Sequence, residues 1–126
     1  MAKVAVLVPY LEMREIARPM LEGYDHIQAM CVEYATTDTI AERARTLEAQ
    51  GCELIVSRGL QARIIRPLLK IPVVEMRITA QELGSGIVAF KRELGAGQPS
   101  LALIGYDNIL SDNSSYDDLF DMELRR

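Results

Sequence analysis

The sequence predicts an α/β fold built on a doubly wound parallel sheet with helices on both faces. Strand and helix patterns alternate from residue 3 to residue 105, the order that right-handed crossover connections produce. The strand candidates are short, near-continuous apolar runs, which are typical of strands buried on both faces of a parallel sheet. The chain has 126 residues, of which 49% are apolar and 25% charged. This length and composition suit one globular domain, or one domain and a fragment.

The predicted sheet has four to five strands. The candidates lie at residues 3–9, 27–35, 54–57, 72–78 and 100–105. In the first helix, Met13, Ile16 and Met20 recur at helical spacing. Pro19 lies within this pattern and predicts a kink or an early end, because proline lacks the N–H that bonds to the preceding turn. After residue 106 the pattern fades, and residues 116–124 predict a weak final helix.

Capping residues mark the ends of the later helices. Thr39 with Glu42, and Thr79 with Glu82, each match a capping box, in which two side chains satisfy free N–H groups at the start of a helix. Gly51 follows the second helix at the position where a glycine cap is expected. These signals predict helices beginning near residues 39 and 79, the first of which ends at residue 51.

Charge, cysteine and histidine content exclude several kinds of partner. The formal net charge is −4, so the chain lacks the basic excess that binds nucleic acid directly. No apolar run approaches the ~18 residues that span a bilayer. No signal peptide precedes the first strand, so we expect a cytoplasmic protein without membrane contact. The two cysteines and one histidine are too few for a disulfide scaffold and lack metal-ligand spacing.

The strongest candidate site is Ser57, Arg58 and Gly59, which end the third predicted strand. Ligands of doubly wound sheets bind beyond the carboxyl ends of the strands. Serine offers a hydroxyl, arginine a planar fork of donors, and glycine a close backbone approach beside the N–H groups of the following helix. Together these groups suit a carboxylate or a phosphate. The alternative is that Arg58 caps a neighbouring carbonyl or forms a surface ion pair.

Other strand ends add weaker candidates. Tyr10 and Tyr106 end the first and fifth strands, where each can bring a ring and a hydroxyl to the same cleft, or simply lie partly exposed at the domain edge. The Thr79 hydroxyl can donate to a ligand, although its capping role already explains it. The predicted ligand-binding residues are Pro9, Tyr10, Ser57, Arg58, Gly59, Thr79 and Tyr106.

The sequence predicts no catalytic residues, cofactor or metal. A phosphate-accepting receiver domain needs acidic residues after the first strand and an aspartate ending the third. This chain has Pro9, Tyr10 and Ser57 at those positions. A Walker-type phosphate loop is absent. Neither Cys31 nor Cys52 has the neighbouring base that activates a nucleophilic thiol.

Three stretches together resemble a known family. They are residues 51–59, which end in Ser-Arg-Gly, residues 71–76, which begin Ile-Pro-Val-Val-Glu, and residues 102–109, which contain Gly-Tyr-Asp-Asn. Their order and spacing over residues 3–109 resemble the N-terminal sensor domain of propionate-catabolism activators. These proteins are NtrC-type transcriptional regulators that work with the nitrogen-type alternative sigma factor.

The resemblance implies a module that binds a small organic acid, which is methylcitrate in the propionate regulators. Binding then controls an ATPase domain and a DNA-binding domain elsewhere in the full-length chain. Leu60 and the Ala-Gln-Glu at residues 80–82 depart from the family pattern, so an acid other than methylcitrate is an alternative.

The resemblance also implies a flavodoxin-like or chelatase-like lobe over residues 1–99 and a truncated second lobe over residues 100–126. An incomplete lobe leaves an unpaired strand edge and an apolar helix face exposed to solvent unless another chain packs against them. We therefore expect a homodimer, and exchange of the segment after Gly95 is one way to form it.

Two other function classes stay open. A small carboxylate-acting enzyme of the racemase or lyase type would need an acid–base pair or a nucleophilic cysteine at the strand ends, and neither is visible. A partner-binding module has mild support from the acidic C-terminal residues and the missing lobe. An ATPase domain encoded directly downstream would separate the sensor from both.

Overall fold

The computed structural model describes residues 1–77, 79–95, 100–102, 104 and 123–125. The chain divides into two compact units, Met1–Met76 and Arg77–Arg126. Each unit carries its own parallel sheet. The predicted division into lobes at residues 1–99 and 100–126 stays a prediction. Among the described residues, no helix is long and apolar enough to cross a membrane.

The first unit alternates strands and helices. In chain order these are β1 (Ala2–Val8), α1 (Leu11–Glu22), β2 (Ile27–Tyr34), α2 (Ile40–Ala49), β3 (Leu54–Arg58), α3 (Gly59–Ile65) and β4 (Val73–Met76), with a 3-10 turn at Arg66–Leu68. All four strands are parallel, and they lie in the order β2-β1-β3-β4. The central strand β1 is buried over its last five residues, as the apolar run predicts.

Alternate strand residues contribute to two cores, one on each face of the sheet. On one face, Ala5 and Leu7 of β1 pack with buried residues of α2 and α3, which are Ile40, Ala44, Leu47, Ala62 and Ile65. On the other face, Val6 and Val8 pack with Val32 and with half-buried residues of α1, which are Met13, Ala17 and Leu21. Helices therefore cover both faces, and the predicted three-layer α/β fold is confirmed.

An irregularity in β2 changes which of its side chains meet α2. Val4 pairs with Ala29, but the next residue of β1, Ala5, pairs with Cys31. Met30 is therefore an extra residue, as in a β-bulge. As a result, Met30 and Cys31 are consecutive in sequence yet both pack against the core that α2 and α3 cover. Since strand residues alternate, Glu33 lies on that face too.

Of the two outcomes predicted at Pro19, a kink or an early end, the early end does not occur, because α1 continues to Glu22. The N–H missing at Pro19 would have bonded to the Glu15 carbonyl, four residues earlier. Glu15 and Pro19 are both exposed, so water can solvate that carbonyl. The helix tolerates the proline because the lost bond lies on its solvent side.

The two predicted capping boxes have different outcomes. Thr79 is the N-cap of α4 (Ala80–Leu94) and accepts the Glu82 N–H at 3.1 Å, while the Glu82 carboxylate accepts the Thr79 N–H at 3.3 Å. That box is confirmed. The box at Thr39 is wrong, because its hydroxyl accepts the Thr36 N–H at 3.2 Å and makes no cap bond to α2.

The predicted glycine cap of α2 is confirmed. Gly51 has a φ of +93°, and its N–H donates to the Glu48 carbonyl while the Cys52 N–H donates to the Leu47 carbonyl. These two bonds form a Schellman motif. Cys52 and Leu47 are also buried in the same core, which supplies the apolar contact that accompanies such a motif.

The second unit contains α4, β5 (Ser100–Ala102) and β6 (Glu123–Arg125). β5 and β6 pair in parallel as a separate two-stranded sheet. Glu123 and Leu124 therefore belong to a strand, and the helix predicted at residues 116–124 is wrong there. Residues 116–122 lie outside the described residues.

Candidate functional site

The strand order creates a topological switch point between β1 and β3. β1 connects through α1 to β2 on one side, and the chain then crosses by α2 to β3 on the other side of β1. Helices α1 and α3 pack on opposite faces of the sheet. The loop from β1 to α1 and the junction of β3 and α3 therefore separate at the carboxyl edge, where ligands of such sheets bind. Pro9 and Tyr10 follow β1, and Ser57, Arg58 and Gly59 form the junction of β3 and α3. The structure thus brings five predicted residues to the switch point.

Ser57 and Arg58 point to opposite faces of the sheet, because they are consecutive strand residues. Ser57 lies on the same face as Ile55, under α2 and α3, and is 0% exposed. Arg58 lies toward the other face, is partly exposed, and already has a non-covalent contact. A ligand approaching from solvent therefore reaches Arg58 directly and Ser57 only beneath the surface.

Gly59 turns the chain from β3 into α3. Its φ is +54°, in the left-handed region where a residue with a side chain is less stable by ~1–2 kcal/mol. It is also buried. The glycine of the Ser-Arg-Gly motif is therefore required by the local backbone, and it keeps a side chain away from the switch point.

Gln61 is a functional candidate that the sequence reasoning missed. It is 4% exposed, and its Nε2 donates to the Ala35 carbonyl at 2.6 Å. The bond ties the first turn of α3 to the segment that follows β2. Gln61 precedes the buried Ile65 by four positions and so shares its face of the helix. A glutamine on an apolar helix face directly after Ser-Arg-Gly is a signal that could have identified it.

Two buried polar atoms near this junction lack partners. Among the described residues, neither the Ser57 Oγ nor the Gln61 Oε1 has a hydrogen-bond partner. Buried polar atoms are paired in the great majority of cases, and an unpaired one commonly marks a functional position or a bound polar group. Both atoms belong to the same short segment, which leads from the end of β3 into the first turn of α3.

The positions of the remaining predicted residues give less evidence for a binding site. Tyr10 is 60% exposed and Pro9 is half-buried, both immediately before α1. Thr79 belongs to the second unit, where its hydroxyl accepts the cap bond from Glu82. Tyr106 lies outside the described residues.

A charged cluster on β2 and α2 was not predicted. The Arg43 Nε and Nη2 donate to the two carboxylate oxygens of Glu33, each at 2.7 Å. The hydrogen bond from Arg43 lowers the pKa of Glu33, while partial burial opposes the shift. Burial, with a smaller contribution from Glu33, raises the pKa of the Cys31 thiol to about 11. Cys31 is therefore protonated at neutral pH and is a poor nucleophile.

No cluster of three or more histidine, cysteine or acidic side chains within the described ranges could hold a metal ion. The site consists instead of a guanidinium, a backbone turn and buried neutral polar groups. Such groups bind and orient a ligand, and Arg58 supplies a positive charge.

Comparison with known proteins gives one match. A search of curated proteins and a search of solved structures each found none. The family model described as propionate catabolism activator matches residues 24–126, which is most of the chain and includes β2 to β4 and the Ser-Arg-Gly junction. The resemblance expected from three short stretches is confirmed, and the chain belongs to the propionate catabolism activator family as the N-terminal sensing domain of a transcriptional regulator.

Proposed function

We propose that this domain senses a small organic acid, which binds at the switch point between β1 and β3. Occupancy of this site then controls the ATPase and DNA-binding domains of a longer regulator. Membership of the family supports the sensing role. The observation that carries the location is Arg58 at the carboxyl end of β3, beside the loop that follows β1.

The chemistry of Arg58 suits a carboxylate. A guanidinium has five N–H donors in a planar fork and binds a carboxylate through two parallel hydrogen bonds. Arg58 can therefore keep a contact within the protein and still present donors to a ligand. The adjacent Gly59 has no side chain that would block the approach, and the exposed ring of Tyr10 lies after the neighbouring strand.

The position of the site suits signal transmission. The loops after β1 and β3 lead directly into α1 and α3, which lie on opposite faces of the sheet. A ligand that contacts both loops stabilises one distance between them, and therefore one distance between the starts of α1 and α3. If the downstream domains contact the helices, the ligand shifts the regulator between two populations.

The acid need not be methylcitrate. Leu60 follows the Ser-Arg-Gly motif where family members usually have glycine, and its side chain is partly buried in α3. A larger side chain next to the site changes its shape. We therefore propose the class, small carboxylates with two or three acid groups, and leave the identity to a ligand screen.

The test compares arginines inside and outside the site. We expect di- and tricarboxylates that bind wild type to raise its melting temperature. Loss of a charge-assisted hydrogen-bond pair in Arg58→Ala should weaken binding by about 10- to 100-fold. The matched control is Arg63→Ala, an exposed arginine in the last turn of α3, the helix that follows Arg58, which should bind like wild type. Calorimetric titration of the three proteins measures the affinities.

Equal affinity of wild type and Arg58→Ala for the same acid would show that Arg58 does not bind it. Equal weakening in Arg58→Ala and Arg63→Ala would indicate general charge attraction rather than a site. The longest natural chain is the protein to use, because residues beyond this segment can contribute to the cleft.

A further inference from the structure

We propose that the outer edge of β2 joins two copies of this chain into a dimer with one continuous sheet. β2 lies at one end of the four-stranded sheet and, among the described strands, pairs only with β1. A strand in this position presents a row of backbone N–H and C=O groups with which another strand can pair. The occupant we infer is β2 of a second copy, running antiparallel to the first about a two-fold axis.

β2 is the longer and less protected of the two edge strands. It has eight residues, whereas β4, at the other end of the sheet, has four. Proteins commonly protect an edge strand with lysine, proline or short length. β2 contains neither lysine nor proline, and its one charged side chain, Glu33, is paired with Arg43 of the same chain. The side chains of β2 therefore do not oppose pairing with another strand.

The hydrogen bonds to β1 show which backbone groups of β2 face outward. Just before the strand, the His26 carbonyl accepts the Ala2 N–H at 3.1 Å. Just after it, the Ala35 N–H donates to the Val8 carbonyl at 3.0 Å. Alternate strand residues direct their backbone groups to the same side, and Met30 is the extra residue between the two halves. Counting inward from each end, the residues whose backbone groups face outward are Ile27, Ala29, Val32 and Tyr34.

This outward row is symmetric about the bulge at residues 30–31. Ala29 and Val32 flank the bulge, and Ile27 and Tyr34 lie two residues further out on either side. When a second β2 runs antiparallel with its bulge opposite the first, Ala29 of each copy lies opposite Val32 of the other. Residues that face each other in this way exchange two hydrogen bonds, and Ile27 pairs with Tyr34 in the same manner. The bulge does not block the pairing, because both copies carry it at the same level.

Two opposite charges on α1 border the same edge. Arg18 and Glu22 are exposed, and together with residues 29–32 of β2 they line a groove of about 210 Å³. The Arg18 Nη2 lies 3.5 Å from the Val32 carbonyl. Because α1 connects two parallel strands, it runs antiparallel to β2, so Glu22 lies toward the Ala29 end of the groove.

A two-fold axis through the bulge makes these charges complementary. It reverses their order in the second copy, so Arg18 of each copy lies opposite Glu22 of the other. Among the described residues, neither side chain forms a salt bridge within its own chain. On pairing, Arg18 leaves the Val32 carbonyl to the incoming strand and turns to Glu22 of the second copy. A second copy thus supplies both the matching backbone row and the reversed charges, as an isologous interface requires.

The first test reverses one charge at a time in the full chain and measures the mass by light scattering over a range of concentrations. Arg18→Glu places like charges together in both contacts of a symmetric dimer, and Glu22→Arg does the same. Each variant alone should dimerise at least about tenfold more weakly than wild type. A mixture of the two variants restores both attractions, so it should form heterodimers with nearly wild-type affinity.

Arg63→Glu is the matched control for the charge reversal. Arg63 is an exposed arginine on α3, and this substitution changes the net charge by the same amount as Arg18→Glu. The variant should dimerise like wild type. Equal weakening in Arg63→Glu and Arg18→Glu would show that net charge, and not the edge of β2, controls association.

The second test removes one outward backbone donor. Proline lacks the N–H group, and at Ala29 it removes a donor from the proposed interface and none from the ladder with β1, the position at which an edge strand tolerates proline. Ala29→Pro should keep the circular dichroism spectrum of wild type and dimerise at least about tenfold more weakly.

Amide hydrogen exchange tests the same pairing without any substitution. In wild type, the N–H groups of Val32 and Tyr34 should exchange slowly at high protein concentration and rapidly at low concentration. The Glu33 N–H faces β1 and should be protected at both concentrations, which makes it the internal control.

Three results would overturn the inference. They are a clean monomer of wild type at high concentration, a dimer that Arg18→Glu and Glu22→Arg each leave unchanged, and exchange at Val32 and Tyr34 that does not depend on concentration. Each of these results leaves the effector site standing, because Arg58→Ala tests that site through ligand affinity.

Discussion

Glu33 and Arg43 join the edge strand β2 to α2 through two charge-assisted hydrogen bonds of 2.7 Å. The two side chains are 38% and 33% exposed, so solvent screens much of their attraction. The pair is therefore a modest contributor to stability, on the order of 0.5 kcal/mol. Its more distinctive effect is on titration, because the pKa of Glu33 falls in the folded protein.

The pair predicts a pH-dependent difference between wild type and Glu33→Gln. A carboxyl whose folded pKa is below its ordinary value of 4.5 stabilises the fold above that value and loses this effect as the pH falls through the folded pKa. Wild type should be more stable than the variant at neutral pH, by on the order of 0.5 kcal/mol. Urea unfolding at a series of pH values should show the difference disappearing in acid. A difference independent of pH would mean that charge at Glu33 is not its source.

Two capping boxes with the same sequence pattern have different outcomes, which shows how element ends depend on context. Thr79 has an extended backbone, with φ −91° and ψ 160°, the conformation that an N-cap requires. Thr39 has φ −105° and ψ −14°, because the preceding turn bonds both its N–H and that of Ile40 to the Thr36 carbonyl. Its hydroxyl then turns back to Thr36. The pattern predicted the helix start in both cases but the side-chain bond in only one.

Removal of the confirmed cap should weaken the start of α4. Thr79→Ala loses the 3.1 Å bond from the Glu82 N–H and should destabilise the helix by about 1 kcal/mol. Thr79→Ser keeps a hydroxyl and is the matched control. Amide exchange at Glu82 should speed up in Thr79→Ala and stay near wild type in Thr79→Ser. Equal protection of Glu82 in both variants would show that the cap bond is not formed in solution.

At the scale of the whole molecule, we expect a homodimer. Light scattering should give twice the 14.1 kDa mass of one chain. If the dimer forms by exchange of the segment after Gly95, a chain ending at Gly95 should be monomeric. A clean monomer of the full chain at high concentration would contradict the dimer. A dimer that survives the truncation would place the interface within residues 1–95.

The sequence by itself determined the class of fold and which residues lie at strand ends. The apolar run of β1 shows a strand buried on both faces, because the centre of a parallel sheet between two helix layers has no polar face. Gly51 and Gly59 mark backbone turns with positive φ at 93° and 54°, which are local requirements and therefore visible in sequence. The three stretches that resemble the propionate catabolism activators also predicted that the chain belongs to this family, and the family match over residues 24–126 confirms it.

Only the tertiary structure decided the strand order and therefore the switch point. The direction in which each crossover runs depends on long-range packing, so no local pattern shows that β3 lies beside β1. The bond from Gln61 to Ala35 joins residues 26 positions apart, and the extra residue Met30 directs Glu33 toward Arg43. Both depend on which elements become neighbours in the folded chain. The sequence thus located the Ser-Arg-Gly junction, and packing of distant segments buried Ser57 and Gln61 there.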